Sequence, residues 1–244
     1  MINVIVNGCN GQMGKKIIEV LQKNEEIKLV GKTGRDDNLE AEIKTKKAHV
    51  VIDFTNHSVV YDNIIKIIKT GAHAVIGTSG INKNQRIEID KLARKNNLGV
   101  LIAPNFSIGA ILMMKFAAEA AKYIPNVEII EYHHDRKADA PSGTAIHTAE
   151  YINSIAGITK KPLVESNEVL ESASLGARIE NIRIHAVRLP GFVASQEVIL
   201  SENGQTLKIR HDTTNRESFI PGILLGIKKI SNFVGLIYGL ENIL

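Results

Sequence analysis

Five short runs rich in Val and Ile, at residues 2–7, 27–31, 48–54, 72–77 and 98–103, punctuate the first 106 residues. Short apolar runs of this kind predict buried strands. Between them, Ile17, Ile18, Val20 and Leu21, then Val60, Ile64, Ile65 and Ile68, recur at helical spacing, and a polar helix is predicted over 82–96. Strands that alternate with helices admit few folds. The expected one is α/β, a doubly wound parallel sheet with right-handed crossovers. Ligands in such sheets bind beyond the carboxyl ends of the strands.

The first run leads into Gly8-Cys9-Asn10-Gly11-Gln12-Met13-Gly14, directly before the first helical pattern. Strand, glycine-rich turn and helix, in that order, form the context a Rossmann-type dinucleotide site requires. One glycine permits the tight turn, another lets the backbone approach a pyrophosphate, and a third lets helix pack on strand. The spacing G-x-x-G-x-x-G is a variant of the usual G-x-G-x-x-G. NAD-binding folds place an Asp or Glu at the end of the second strand to hold the ribose. Lys32-Thr33-Gly34-Arg35 stands there instead. Lys32 and Arg35 suit the 2′-phosphate of NADPH. Asp36 and Asp37 follow at once, so NADPH is the preferred cofactor and NADH stays open. The later strand ends put Phe54 and Thr55, then Gly77, Thr78 and Ser79, then Ala103, Pro104, Asn105 and Phe106 along the cofactor's path.

The pattern changes after residue 106. Ser107 is placed to cap an apolar helix over 108–124. A strand over 127–133, a helix over 143–156 and Gly- and Ser-containing linkers over 157–177 follow. Three strand-like runs come next, at 179–189, 192–201 and 205–211, with Asn203-Gly204 as a hairpin signal. They predict a second, α+β domain with a mixed open sheet. An apolar helix over 216–232 is expected to pack back on the first domain. The expected domains are 1–106 plus 216–244 for the dinucleotide, and 107–215 for the substrate.

Hydrophobic residues make up 44% of the 244 and charged residues 23%, the balance of a globular protein. No run of 18 apolar residues occurs, so no membrane span is expected. The start, Met1-Ile2-Asn3-Val4-Ile5-Val6, enters a strand pattern with neither a basic region nor a cleavage site, so a cytoplasmic location is expected. The single cysteine, Cys9, excludes an intrachain disulfide and a cysteine-built metal site. The net charge of +4 is spread along the chain without a basic, aromatic-interleaved block. No nucleic-acid partner is expected, and an acidic ligand fits the charge more simply.

Chemistry concentrates in residues 131–145. His133 and His134 close the sixth strand, Lys137 lies in the turn, and Pro141-Ser142-Gly143-Thr144 opens a helix with Ser142 as candidate N-cap. A histidine gives or takes a proton near neutral pH. A lysine supplies a positive charge or a proton. A helix start at Gly143 and Thr144 offers backbone N–H groups to a carboxylate. The set suits a small acidic substrate that is both held and protonated. The spacing is not H-E-x-x-H and no cysteine is near, so no metal is expected. Joined to a dinucleotide-binding half, the set suggests hydride transfer. Reducing C=N or C=C needs a hydride at one end and a proton at the other, and His133 or Lys137 can supply that proton. Two further readings are another NADP-linked oxidoreductase of a small dicarboxylate and a non-catalytic NADP sensor. An acylating semialdehyde dehydrogenase needs a nucleophilic cysteine, which Cys9 in the nucleotide loop does not provide. A sensor has no need of the His-His/Lys/Gly-Thr set.

The stretch Glu131-Tyr132-His133-His134-Asp135-Arg136-Lys137-Ala138-Asp139-Ala140-Pro141-Ser142-Gly143-Thr144-Ala145 resembles the E-x-H-H-x-x-K-x-D-A-P-S-G-T-A signature of the 4-hydroxy-tetrahydrodipicolinate reductases, formerly dihydrodipicolinate reductases. The resemblance extends over Gly8–Gly14, Gly77–Gly80, Ala103–Ser107 and the C-terminal helix, so it spans essentially the whole chain. It implies His133 as proton donor and acceptor, Lys137 as proton donor, and His134, Gly143 and Thr144 as substrate-binding residues. It implies Gly8, Cys9, Asn10, Gly11, Gln12, Met13, Gly77–Ser79 and Ala103–Phe106 as nucleotide contacts. The implied reaction reduces a cyclic unsaturated dicarboxylate to tetrahydrodipicolinate with NADH or NADPH, after loss of the 4-hydroxyl as water, in the diaminopimelate route to lysine. The implied assembly is a cytoplasmic homotetramer built through the sheets of the substrate domain. Some members carry Glu-Arg where this chain has Gly34-Arg35, and a glycine where it has Asn10. The first departure favours NADPH again.

Overall fold

The computed structural model describes residues 1–158 and 175–244. In chain order it first runs through β1 (Ile2–Asn7), α1 (Gln12–Leu21), β2 (Ile27–Thr33), α2 (Leu39–Lys46), β3 (Val50–Asp53), α3 (Val60–Lys69), β4 (His73–Ile76), α4 (Lys83–Lys95) and β5 (Gly99–Ile102). There follow α5 (Ile108–Ala121), β6 (Asn126–His133), α6 (Gly143–Ala156), β7 (Ala177–Ile179), β8 (Ile182–Arg188), β9 (Ala194–Glu202), β10 (Gln205–Thr213), α7 (Ile220–Lys229) and β11 (Gly235–Tyr238). The chain divides into two units, one of Met1–Ser107 with Phe219–Leu244 and one of Ile108–Ser218.

The first unit is built on a parallel sheet in the order β11-β5-β4-β3-β1-β2. Its inner strands are Val- and Ile-rich because both faces are covered. Val4–Val6, Val50–Ile52, Ala74–Ile76 and Val100–Ile102 are all buried. On α3, Val60, Ile64, Ile67 and Ile68 form the buried stripe, each contributing about 1.5–3 kcal/mol of apolar burial. From β1 the chain moves outward to β2, then returns to β3 on the other side and continues to β4 and β5. The switch point lies between the carboxyl ends of β1 and β3, which is where such sheets bind ligands.

The second unit carries a mixed sheet in the order β10-β9-β6-β8-β7, with β6 antiparallel to β9 and parallel to β8. Met113, Ala117 and Ala118 of α5 and Ala145, Ala149 and Ile152 of α6 pack with Val127, Ile129, Val198 and Leu200 of the sheet. The residues 127, 129 and 131 therefore face the helices, as strand alternation requires.

The doubly wound sheet and the mixed second sheet match the sequence pattern, with local differences. The polar helix α2 has only Leu39 and Ile43 buried, too few apolar positions to show a period, and Asn38 sets its start by accepting from the Ala41 N–H at 3.1 Å. The edge strand β11 has only four residues. The run expected over 179–189 forms β8, and the chain before it folds back at Glu180, which takes φ +52°, to pair the short β7 with β8. The C-terminal helix starts later than expected, because a 3-10 turn covers Arg216–Phe219 and Pro221 sits in the first turn of α7, where its missing N–H costs nothing. Part of the linker expected over 157–177 lies outside the described residues. No helix among the described residues is long and apolar enough to cross a membrane.

Candidate active site

The glycine turn joins β1 to α1. Gly8 takes φ +86°, and a Cβ there would stand 2.4 Å from the Phe54 carbonyl oxygen. A Cβ on Gly14 would stand 2.2 Å from the Gly8 carbonyl oxygen, so only glycine lets α1 close on the turn. The backbone N–H groups of Gly8 and Cys9 both donate to the Thr33 carbonyl, at 2.9 and 3.1 Å, pinning the turn to β2. Helix α1 starts at Gly11, which has no side chain to cap it, and its first turn holds no acidic residue. The unpaired N–H groups and the positive end of the helix are thereby left for an anion. Beside them opens a cleft of about 990 Å³ walled by Asn7, Gly8, Gly11, Arg35, Thr55 and Asn63, among others. The close backbone approach, the bare helix start and the arginine on the wall fit a dinucleotide with its phosphates.

A buried carboxylate underlies this cleft. Asp53 is fully buried at the end of β3 and accepts from Asn7 Nδ2 at 2.7 Å, Asn63 Nδ2 at 2.9 Å, Thr55 N at 3.0 Å, Thr55 Oγ1 at 2.6 Å and Thr78 Oγ1 at 3.1 Å. Thr33 Oγ1 donates in turn to Asn7 Oδ1 at 2.9 Å. The carboxyl ends of β1, β2, β3 and β4 are joined through two side chains, Asp53 and Asn7.

The residues expected to hold the cofactor do not all meet. Gly8, Asn10, Gly11 and Arg35 line the cleft. Cys9 is half-buried, with Sγ 3.7 Å from Asn10 Oδ1, while Gln12 is exposed and Met13 half-buried on the first turn of α1. Lys32 does not join Arg35. It lines a separate groove along β2 with Met1, Leu21, Gln22 and Asn24. Gly77, Thr78 and Ser79 follow β4, and Ala103, Pro104, Asn105 and Phe106 follow β5, outside the lining of the cleft. The buried Phe106 ring packs on that of Phe54, at 5.8 Å between centroids.

In the second unit, β6 ends on His133, beside Arg188 at the end of β8 in the strand register. Glu131 lies on the helix-facing side of β6 and is fully buried. Arg188 grips it with two hydrogen bonds, Nη1 to Oε2 at 2.9 Å and Nη2 to Oε1 at 2.7 Å. The Ser142 N–H donates to Oε1 at 3.1 Å, and His133 Nδ1 is in hydrogen-bond contact with Oε2. Burial pushes the Glu131 carboxyl up, but the hydrogen bonds and charges of His133 and Arg188 outweigh it and hold the carboxyl below its ordinary value. An ionised carboxylate only accepts, so Nδ1 carries the proton and Nε2 is the imidazole atom left for chemistry.

The turn after β6 brings Lys137 Nζ to Asp139, at 2.7 and 2.8 Å from its two oxygens. Burial pushes the Asp139 carboxyl up, and the Lys137 hydrogen bond and charge turn the balance downward. Arg188 Nη2 also donates to the Asp139 carbonyl at 2.7 Å, fixing this turn to the sheet. His134 keeps Nδ1 buried without a hydrogen-bond partner among the described residues. Ser142 Oγ accepts from the Ala145 N–H at 3.1 Å and so caps α6. Gly143 is exposed, and nothing stands within 4 Å of where its Cβ would be. The first turn of α6 holds no acidic residue, which leaves an open, positively polarised surface suited to a carboxylate.

Glu131 and Arg188 have no role in the expected site, nor do Asp53, Asn7, Thr33 and Asn63. One signal was present. Glu131 follows Val127 and Ile129 at strand spacing, and Asp53 closes the apolar run Val50-Val51-Ile52, so each carboxylate stands where the pattern demands burial.

Comparisons with known proteins identify the family. The family described as dihydrodipicolinate reductase, N-terminus, matches residues 2–106, and dihydrodipicolinate reductase, C-terminus, matches residues 109–244. A 4-hydroxy-tetrahydrodipicolinate reductase of Coxiella burnetii is 46% identical, over 100% of this chain and 99% of its own. One of Legionella pneumophila is 47% identical, over 99% of this chain and 98% of its own. A dipicolinate-bound dihydrodipicolinate reductase from Paenisporosarcina sp. TG-14 has a similar structure, with a TM-score of 0.88, 38% identity and 100% of both chains covered. By two family matches that together take in almost every residue, and by relatives of this identity along its full length, the chain belongs to the dihydrodipicolinate reductase family.

Proposed function

We propose that the chain reduces 4-hydroxy-tetrahydrodipicolinate, the compound its relatives are named for, with NADPH preferred over NADH. When bound, the reduced nicotinamide supplies a hydride. In the first unit the N–H groups at the start of α1 receive the pyrophosphate, and Arg35 on the cleft wall receives the 2′-phosphate. Lys32, in its separate groove, has no part in this.

In the second unit, Gly143 and Thr144 at the start of α6 receive one substrate carboxylate. Lys137 Nζ, now paired with Asp139, receives the other by exchanging one carboxylate for another. His134 lines the same substrate. After the 4-hydroxyl leaves as water, a hydride enters one end of the unsaturated bond and a proton the other. His133 gives that proton from Nε2 while Nδ1 stays on Glu131. One observation carries the reading: the buried Glu131 holds both the His133 imidazole and the N–H of the residue that caps α6.

A coupled assay tests it, with a synthase generating the unstable substrate from pyruvate and aspartate semialdehyde while NADPH absorbance is followed. His133→Gln is expected to lower kcat about 100-fold with little change in KM, and Lys137→Met to impair both. Near-normal turnover in both variants would remove these residues from the mechanism.

The same reading includes a cytoplasmic homotetramer. The sheet face away from α5 and α6 carries the partly buried Ile130, Tyr132, Val187 and Ile199, with Arg210 over the Tyr132 ring at 4.8 Å. A face on which apolar and aromatic groups alternate with charged ones such as Glu197 and Arg210 suits a polar subunit contact. Light scattering on the purified chain, giving the mass of one subunit, would reject the assembly.

A further inference from the structure

We infer that Glu131 is a positioning residue of this reaction, one that keeps the proton on His133 Nδ1, makes Nε2 the donor, and ties that imidazole to the carboxylate-receiving start of α6. This rests on His133 being the acid.

The geometry asks for more than a structural ion pair. Arg188 alone would satisfy a buried carboxylate, because its two parallel hydrogen bonds occupy one lone pair on each oxygen. Each oxygen accepts a second donor as well. Oε2 meets the His133 ring, and Oε1 meets the Ser142 N–H at 3.1 Å. A carboxylate with no exposure at all therefore spends its remaining acceptor capacity on the proposed acid and on the N-cap of the substrate-binding helix. Arg188 has a matching second tie, to the Asp139 carbonyl at 2.7 Å, two residues beyond Lys137. One fork-shaped pair so sets three parts of the substrate site at once. The charge balance fits the task. Arg188 offsets the carboxylate, so Glu131 accepts from the imidazole without drawing off its proton.

Glu131→Gln keeps the shape and removes the charge. It leaves Arg188 unbalanced beside the imidazole, which disfavours the imidazolium. In the coupled assay the variant is expected to lose about 100-fold in kcat, with the alkaline limb of its pH profile moved about one unit or more toward acid. The double variant with His133→Gln is expected to be no slower than His133→Gln alone, since one residue acts through the other. A folded Glu131→Gln enzyme with kcat within twofold of wild type and an unmoved limb would overturn the inference, as would additive losses in the double variant. If the variant does not fold, the wild type decides. In nitrogen-15 NMR, with His133 assigned by its loss in His133→Gln, Nδ1 is expected to stay protonated at every pH at which the protein is folded, and loss of that proton would overturn the inference. An active His133→Gln enzyme sinks the acid assignment itself, whereas an inactive one beside an unaffected Glu131→Gln sinks only the positioning role.

Discussion

Asn7 donates its side-chain N–H to the Asp53 carboxylate at 2.7 Å, and both residues are buried where the carboxyl ends of β1 and β3 diverge. The bond spans the switch point of the sheet. It holds together the two strand ends from which the glycine turn and Thr55 enter the cleft. Asp53→Asn replaces an acceptor-only group by one that presents N–H to neighbouring donors. It is expected to destabilise the protein by about 3 kcal/mol in urea unfolding and to weaken NADPH binding in a fluorescence titration. Unchanged stability together with unchanged binding would show that the network holds neither the sheet nor the cleft.

The empty space over Gly143 lets the proposed binding be tested apart from folding. Gly143→Ala meets no neighbour and gains up to about 1 kcal/mol of helix propensity. Its melting temperature is expected to equal or exceed that of the wild type. A methyl group at the helix start crowds an incoming carboxylate, so KM for the dicarboxylate is expected to rise while kcat holds. Unaltered KM would move the carboxylate away from α6.

In the proposed reading cofactor preference rests on Arg35, since Lys32 stands in another groove. Arg35→Ala is expected to raise KM for NADPH about tenfold, the effect of losing one charge-assisted phosphate contact, and to leave KM for NADH almost unchanged. Lys32→Ala is expected to alter neither. Equal losses for the two cofactors in Arg35→Ala would rule out recognition of the 2′-phosphate.

At the other end of the same sheet a pH dependence of stability is expected. His73 Nδ1 accepts from the Gly99 N–H at 2.9 Å, joining the starts of β4 and β5. Burial pushes the imidazole below its ordinary value of 6.5. A histidine with a lowered folded pKa stabilises fully above the unfolded value, and this share is lost as pH falls below 6.5 toward the folded value. Protonation at Nδ1 also breaks the bond to Gly99. Melting curves between pH 7.5 and 5 are expected to fall more steeply for the wild type than for His73→Gln. Parallel slopes would assign the acid sensitivity to other groups, among them His211, which burial also lowers.

Chain neighbours alone settled the parallel sheet of the first unit. Val and Ile in short runs, glycine where φ is positive at residue 8, and helical spacing between them are local constraints, and each is readable without knowing what lies across the fold. The stretch 131–145 likewise marks itself as a candidate site through residue types alone. The weakly patterned α2 is not readable in this way, because it has too few apolar positions to show a period. Tertiary structure decided the partners. Glu131 and Arg188 lie 57 positions apart, and Asn7 and Asp53 lie 46 apart. Lys32 and Arg35 are close in sequence yet line different grooves. Which side chains meet depends on strand register and on which face each residue takes, and both exist only once the sheets have assembled.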